Sequence, residues 1–564
     1  MHHLVLLIIA CAGLSVQAQV LVEYANRGNF PKAPYSNFFY TADPGEQALL
    51  DAGKAGAFYR TGATFNTGGS TAVCRFYGSV TPGPNSHFYT ANASECSALK
   101  AAQITPKPSS TQQWNYEGDG FRVTPLTAAT CPTGTTPVYR AYNNAFGNSG
   151  KQAWDSNHRL STRLAEIETL KQNTPAWRSE GIAFCVPSSP AEANLVASDN
   201  LANYCAQVRA DKSWGDKPGS LLQENQWLRS YMDEYYLWPN EIPRSPEAWY
   251  SSTDDYLNAQ RTPFKTESGS MKDRYSFTMP TNDYLNLEEG IATASYGFEW
   301  DFVPGAGYSV VVTYTEPGSP AEAAGIKRGD VIVSVDGNSL ANLTNYTQLL
   351  SLLYPASNGE THSFVLRRSG QPDRSVKMTS ANVTVTYVQN LSTLNTSSGK
   401  VGYLLFNGFQ TPAEGELVKA FTTLKNAGAN DLVLDLRYNG GGSLYLSAQL
   451  GYMIAGAASV GKTFTKIQFS DKRVADNANP DNVITFVPLA TGDTGSGTVA
   501  NAALPTLSLK RVFIIAQYGT ASASEYLINA LRGIGVEVIL IGGTTYGKPY
   551  GFIPWENCGT VYLV

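Results

Sequence analysis

Three stretches near the N-terminus carry the same order of apolar and polar positions at fixed offsets. In each, an apolar residue precedes a small hydroxyl residue, with Glu five positions after the hydroxyl and Leu nine: Tyr40-Thr41, Glu46, Leu50; Tyr89-Thr90, Glu95, Leu99; Leu160-Ser161, Glu166, Leu170. Each closes on a second pattern spaced four and then three: Phe58, Gly62, Phe65; Trp114, Gly118, Phe121; Trp177, Gly181, Phe184. Units this small bury a core only together. Residues 19–187 are therefore expected to form a β-rich repeat domain, with short strands and one helical turn per unit about a pseudo-threefold axis. Pro187-Ser188-Ser189-Pro190 then reads as a linker. Over residues 195–285 the apolar period becomes helical, as in Leu222, Trp227, Leu228, Tyr231, Met232 and Tyr235.

Residues 288–385 predict an α+β domain. A short helix from Pro320 closes on Gly325, a turn follows at Arg328-Gly329-Asp330, and the strand Val331 to Val335 ends in Asp336-Gly337. From residue 398 to 564, strands and helices alternate. Val401 to Leu405, Asp431 to Leu436, Arg511 to Ala516 and Val536 to Ile541 read as strands, and Glu414 to Ala427 as a helix. Gly-rich segments follow the last three strands. Ligand sites in such folds gather at the C-terminal ends of the strands.

Composition adds few constraints. The chain has 564 residues, 43% hydrophobic and 15% charged, with a net charge of −5. That supports several packed domains and, without a basic run, argues against nucleic acid as a partner. The apolar run Leu4 to Leu14 followed by Ser15-Val16-Gln17-Ala18 reads as an export signal, residues 1–18, cleaved after Ala18. Cys11 permits a lipoprotein anchor instead. The run is too short for a membrane span, so a secreted or periplasmic protein is expected. No CxxC pair occurs, and neither a metal nor another cofactor is expected.

Six cysteines remain after residue 18, an even number consistent with disulfides in an exported chain. Cys74 opens the second repeat and Cys96 follows its Glu95. Cys131 opens the third and Cys185 follows its closing Phe184. Those placements favour Cys74–Cys96 and Cys131–Cys185, leaving Cys205 to pair with Cys558 by elimination. The recurring aromatics could stack on sugars at a cell surface, but core packing is the simpler role. His87 and His158 occupy corresponding positions where the first repeat has Phe38, which also favours packing over metal ligation.

His87-Phe88-Tyr89-Thr90 and Trp114 to Phe121 resemble the unit of a repeat domain found on secreted bacterial proteins, which implies an accessory or surface-binding module. Gly318 to Gly337 resembles the PDZ modules of bacterial proteases. By that likeness Tyr296-Gly297-Phe298 fits the loop that receives a peptide's C-terminal carboxylate, and the groove would bind an extended peptide. Three further segments resemble, in order, motifs of the C-terminal processing (tail-specific) peptidases: Asp435 to Gly442, Gly519 to Glu525, and Thr544 to Lys548. The resemblance covers roughly residues 195–564 and implies an α/β crotonase-like catalytic core. By motif position Ser522 is the nucleophile, Lys548 the base, and the amides of Ala523 and Gly441 the oxyanion hole. The resemblance also implies more strand and helix beyond residue 564.

The residues support that chemistry on their own. A Ser hydroxyl needs a base, and a turn entering a helix projects it beside amides that lack intrahelical partners. Lys548 can serve as base only when neutral, which burial among neighbours such as Tyr546 would favour. After residue 18 the chain has only His87, His158 and His362, none of them beyond residue 398, so a Ser-His-Asp triad is disfavoured. Thr520 and Ser524 are the rival hydroxyls. Glu525 is read as supporting the helix start or orienting its neighbours, and Asp435 with Arg437 as a structural pair. Arg532 to Gly535 stands where some relatives carry an acidic residue. The expected function is an exported serine endopeptidase acting on polypeptides through an acyl-enzyme. The alternative is an inactive surface or scaffold protein using the repeat and PDZ modules.

Overall fold

The computed structural model describes residues 19–26, 37–78, 86–104, 114–143, 157–172, 177–188, 195–302, 309–493 and 495–564. The export signal, Cys11 and the second half of the expected linker lie outside them. Two compact units divide near residue 278, with residues 470–472 and Val564 grouped with the first. No helix among the described residues is long and apolar enough to cross a membrane.

In the first unit, each repeated stretch builds three strands and a helix. These are Val20–Asn26, Asn37–Thr41, Pro44–Asp51 and Phe58–Asn66; then Thr71–Gly78, His87–Thr90, Ala93–Ile104 and Trp114–Val123; then Thr135–Tyr142, His158–Ser161, Leu164–Lys171 and Arg178–Pro187. Each trio forms an antiparallel sheet with its first strand in the middle. The helices run 8, 12 and 8 residues, longer than the single turn expected. The fixed hydroxyl-to-Glu offset has a local cause. The hydroxyls of Thr41, Thr90 and Ser161 donate to Glu46, Glu95 and Glu166 at 2.5, 2.5 and 2.7 Å. Each also accepts the amide two residues on, at 2.9 to 3.0 Å. This latch satisfies polar groups at the helix entry that would otherwise lack partners.

The same glutamates join neighbouring repeats. Arg75 of the second repeat meets Glu46 of the first at 2.7 Å, and Arg140 of the third meets Glu95 of the second at 3.4 Å. The position matching Arg75 and Arg140 in the first repeat is Glu23, since each lies opposite the residue preceding the hydroxyl. There Arg159 supplies the cation instead, 3.2 Å from Glu23 and 3.1 Å from Glu166, all three buried. A buried guanidinium is tolerated only with such pairing. Tyr89 Oη bonds both the amide and carbonyl of Tyr40, and Tyr40 Oη does the same to Leu160. The closing residues Phe65, Phe121 and Phe184 meet in the core, with ring centroids 6.5 and 5.9 Å apart. Disulfides Cys74–Cys96 and Cys131–Cys185 staple the second and third repeats. His87 packs edge-on to Phe39 and His158 stacks on Tyr142 at 4.4 Å.

Residues 195–278 are less helical than their periodicity implies. The main helix is Leu221–Tyr235, capped by Ser220, with Trp227, Leu228, Tyr231 and Met232 buried along one stripe. Shorter helices and turns fill the rest.

The two larger sheets of the second unit have distinct cores. The first runs Phe298–Phe302, Val310–Thr315, Val331–Val335, Thr361–Arg367, Arg374–Thr379, all antiparallel, packed with the helix Tyr346–Leu353. Phe298–Phe302 is an edge strand of this sheet. On it, burial pushes the Glu299 carboxyl up to about 7. The protonated form is thus favoured on folding, so its contribution is full below the ordinary carboxyl range and lost as pH rises through about 7. Glu299→Gln is expected to raise stability at pH 8 by at most about 3 kcal/mol and to change it little at pH 4. Thermal denaturation at both pH values checks this; an equal shift at each would contradict it.

The second sheet orders Val388–Thr396, Gly399–Phe406, Asp431–Asp435, Arg511–Ala516, Glu537–Gly542, the last four parallel. Leu404, Phe406, Leu432, Leu434, Val512 and Ile514 face the helices Ala413–Asn426, Leu444–Ala455 and Ala523–Gly533. Gly-rich turns therefore leave the sheet at Leu436, Gln517 and Gly542, side by side.

Candidate functional site

Three loops converge at the C-terminal ends of the parallel strands. After Asp431–Asp435 the chain turns through Arg437 to Gly442. Asp435 is fully buried, accepts from Arg437 Nε at 2.8 Å and from Tyr403 Oη at 2.9 Å. Burial alone would disfavour such a carboxylate, and these charge-assisted bonds offset it. Asn439, also fully buried, ties this loop together. Its Nδ2 donates to Phe406 O at 3.1 Å and its Oδ1 accepts the Gly441 amide at 3.0 Å. Its carbonyl accepts from the Ala521 amide at 3.2 Å and the Ser524 hydroxyl at 3.0 Å.

The second loop carries Ser522 into the helix Ala523–Gly533. Ser522 has φ 54°, a strained value for a residue with a side chain. Gly441 lies directly against it: a Cβ at Gly441 (φ 107°) would fall 2.7 Å from Ser522 Cβ and 3.0 Å from the Ala523 nitrogen. Only glycine fits there. The rival hydroxyls are committed elsewhere and fully buried. Thr520 Oγ1 donates to Leu436 O at 2.8 Å, and Ser524 Oγ to Asn439 O at 3.0 Å. Ser522 remains half-buried.

The third loop brings Lys548. Glu525, in the first turn of the helix Ala523–Gly533, joins this loop to the second. One of its oxygens accepts the Ser522 amide at 2.9 Å and the Lys548 amide at 3.0 Å. The other accepts the Gly547 amide at 2.7 Å. Two segments 26 residues apart in sequence thus share one carboxylate oxygen. Burial lowers Lys548 from the ordinary lysine value to about 8, while Glu525 pulls the other way. Tyr546, expected as its apolar cover, instead packs on Tyr518 at 5.0 Å and donates its amide to Thr520 O. The ring over the amine is Phe552, with Lys548 Nζ 3.5 Å from its centroid. Sequence reading missed this residue and Asn439's role. Phe552 lies on an irregular loop with no periodic signal, and Asn439's bonds run to residues distant in sequence.

In the other sheet, Tyr296 is buried and Gly297 has φ 78°. The Gly297 amide donates to Ser295 Oγ at 2.9 Å, and its carbonyl accepts the Glu316 amide at 2.8 Å. Phe298 opens the edge strand. Phe302 on that strand and Tyr346 on the facing helix are exposed, their rings 6.3 Å apart. No cluster that could hold a metal ion occurs among the described residues.

Comparison with known proteins agrees with this layout. Residues 400–551 match the model of peptidase family S41, 223–277 the peptidase S41 N-terminal domain, 311–368 the PDZ domain, and 32–187 a domain of unknown function (DUF5648). The chain is 28% identical to carboxyl-terminal-processing peptidase 2, chloroplastic, of Arabidopsis thaliana, over 63% of this chain and 66% of that one. It is 24% identical to the chloroplastic C-terminal processing peptidase of Tetradesmus obliquus, over 57% and 66%. It is 30% identical to the carboxyl-terminal-processing protease of a Picosynechococcus species, over 41% and 49%. The chain thus spans about half to two thirds of the length of these relatives. The three adjoining loops thus lie within the region that matches peptidase family S41, behind a matched PDZ domain and a matched S41 N-terminal domain.

Proposed function

We propose that the chain is an exported serine endopeptidase that hydrolyses polypeptides through an acyl-enzyme. The observation that carries this reading is the shared Glu525 oxygen, which holds the Ser522 and Lys548 backbones together beside an amine lowered to about 8. Neutral Lys548 takes the Ser522 proton as the hydroxyl attacks the scissile carbonyl, and returns it to the leaving amine. A water deprotonated by the same amine then attacks the acyl carbon, and the ammonium gives that proton to Ser522 Oγ as the acid product leaves. The tetrahedral oxyanion is received by the amides of Ala523 and Gly441. The Gly441 amide, bonded here to Asn439 Oδ1, turns to the substrate oxygen or shares itself between the two acceptors. Arg437 and Asp435 brace this loop from below. The core is read as crotonase-like, with its domain running over residues 398–564.

The PDZ domain, residues 288–385, recruits substrate by its C-terminus. Tyr296, Gly297 and Phe298 form the carboxylate loop, and the open edge strand pairs with the peptide. Residues 19–187 form a pseudo-threefold accessory domain, consistent with the ion pairs that recur between its repeats, and residues 195–285 lead into the peptidase. Cys205 pairs with Cys558; peptide mapping without reduction tests this, and a Cys205 peptide linked elsewhere would break it. The main reading is tested by hydrolysis of an unstructured peptide. Ser522→Ala is expected to abolish it in a folded protein; persistent turnover would remove Ser522 from the mechanism, and no turnover in the unsubstituted protein would favour the scaffold reading.

A further inference from the structure

We propose that Phe552 is a positioning residue for the proposed base: its ring face closes one side of the Lys548 amine against water and fixes the nitrogen along the ring normal. The inference rests on the reading of Lys548 as base, but its own test does not. Lys548 Nζ lies 3.5 Å from the Phe552 centroid, closer than is needed for a water molecule to enter between them. Both residues are half-buried and lie four positions apart on the same irregular loop. That loop is anchored at the Gly547 and Lys548 amides by Glu525, and Tyr526 Oη donates to Pro549 O at 3.3 Å. The ring therefore caps an amine whose backbone is already fixed.

A ring in this place acts on the amine in two opposed ways. Its quadrupole attracts the ammonium and favours protonation. Its apolar bulk strips hydration from the ammonium and favours the neutral amine. Glu525, whose charge favours the ammonium, adds to the first effect. Burial raises the Tyr526 phenol, so it brings no charge to the loop near neutral pH. The net displacement of Lys548 is downward, with burial its largest cause, so desolvation outweighs both attractions. With its ring face 3.5 Å from the nitrogen, Phe552 is part of that cover.

The two effects separate by substitution. Phe552→Ala opens the amine to water, and the Lys548 titration midpoint is expected to rise by about one pH unit. Phe552→Leu keeps an apolar cover without a π face, and the midpoint is expected at or below that of the unsubstituted protein. Competitive labelling of the full chain with trace dinitrofluorobenzene across pH 6 to 11, read by mass spectrometry on the Lys548 peptide, gives each midpoint without any need for activity. An unmoved midpoint in Phe552→Ala overturns the proposal, and so does a rise in Phe552→Leu as large as in Phe552→Ala. The rising limb of peptide hydrolysis around pH 8 should shift in step. If labelling shifts as expected while that limb stays in place, Phe552 caps the amine but Lys548 is not the base.

Discussion

Lys548→Arg is expected to lower kcat/KM on an unstructured peptide by roughly 10²–10⁴-fold, the usual worth of a general base. The substitution keeps charge and much of the volume, so the fold should persist. What it removes is the capacity to be neutral: a guanidinium stays protonated through the range in which proteins survive. In the native protein the amine is lowered to about 8, so a useful fraction is free base near neutral pH. The sign follows directly. Activity rises as pH increases through about 8 and levels off above it. Steady-state kinetics with a thermal midpoint as control checks the variant, and near-normal turnover would point to another base.

Glu525→Gln is expected to lower kcat by roughly 10–10²-fold, the scale of a small misplacement of reacting groups. The carboxylate accepts three amides, from Ser522, Gly547 and Lys548. A carboxamide offers one acceptor oxygen and turns a donor toward at least one of those N–H groups. The two loops then lose their common anchor. Removing the charge also removes an attraction that holds Lys548 up, so the rising limb should move to lower pH. Loss of kcat together with an acid-shifted limb is the predicted signature, since a merely structural lesion would not move the limb. Full activity with an unmoved limb contradicts it.

The site was legible in sequence wherever chemistry is written in short motifs. Ser522, Gly441 and Lys548 stand in local patterns whose residue types carry their own reasons, and Glu525 could be read as a helper from its place in the first helical turn. Asn439 could not, because it acts through bonds to Phe406, Ala521 and Ser524 that only the parallel sheet brings near. Phe552 was passed over for Tyr546 because distance along the chain does not say which ring a lysine reaches. The repeats show both sides of this limit. Their offsets were plain, yet the eight-residue helices were underestimated as single turns. The substitution of Arg159 for a missing arginine at position 23 is a tertiary fact: the two residues lie 136 positions apart. The periodicity of residues 195–285 overstated helix, since isolated aromatics there pack onto turns.

The most direct measurement is covalent trapping with a serine-reactive fluorophosphonate, read by peptide mapping. A single adduct on Ser522 is predicted, formed at a rate that rises with pH through about 8 and falls by at least roughly 10²-fold in Lys548→Arg. An adduct on another residue, or an undiminished rate in Lys548→Arg, would contradict the assignment of Ser522 and Lys548 as nucleophile and base.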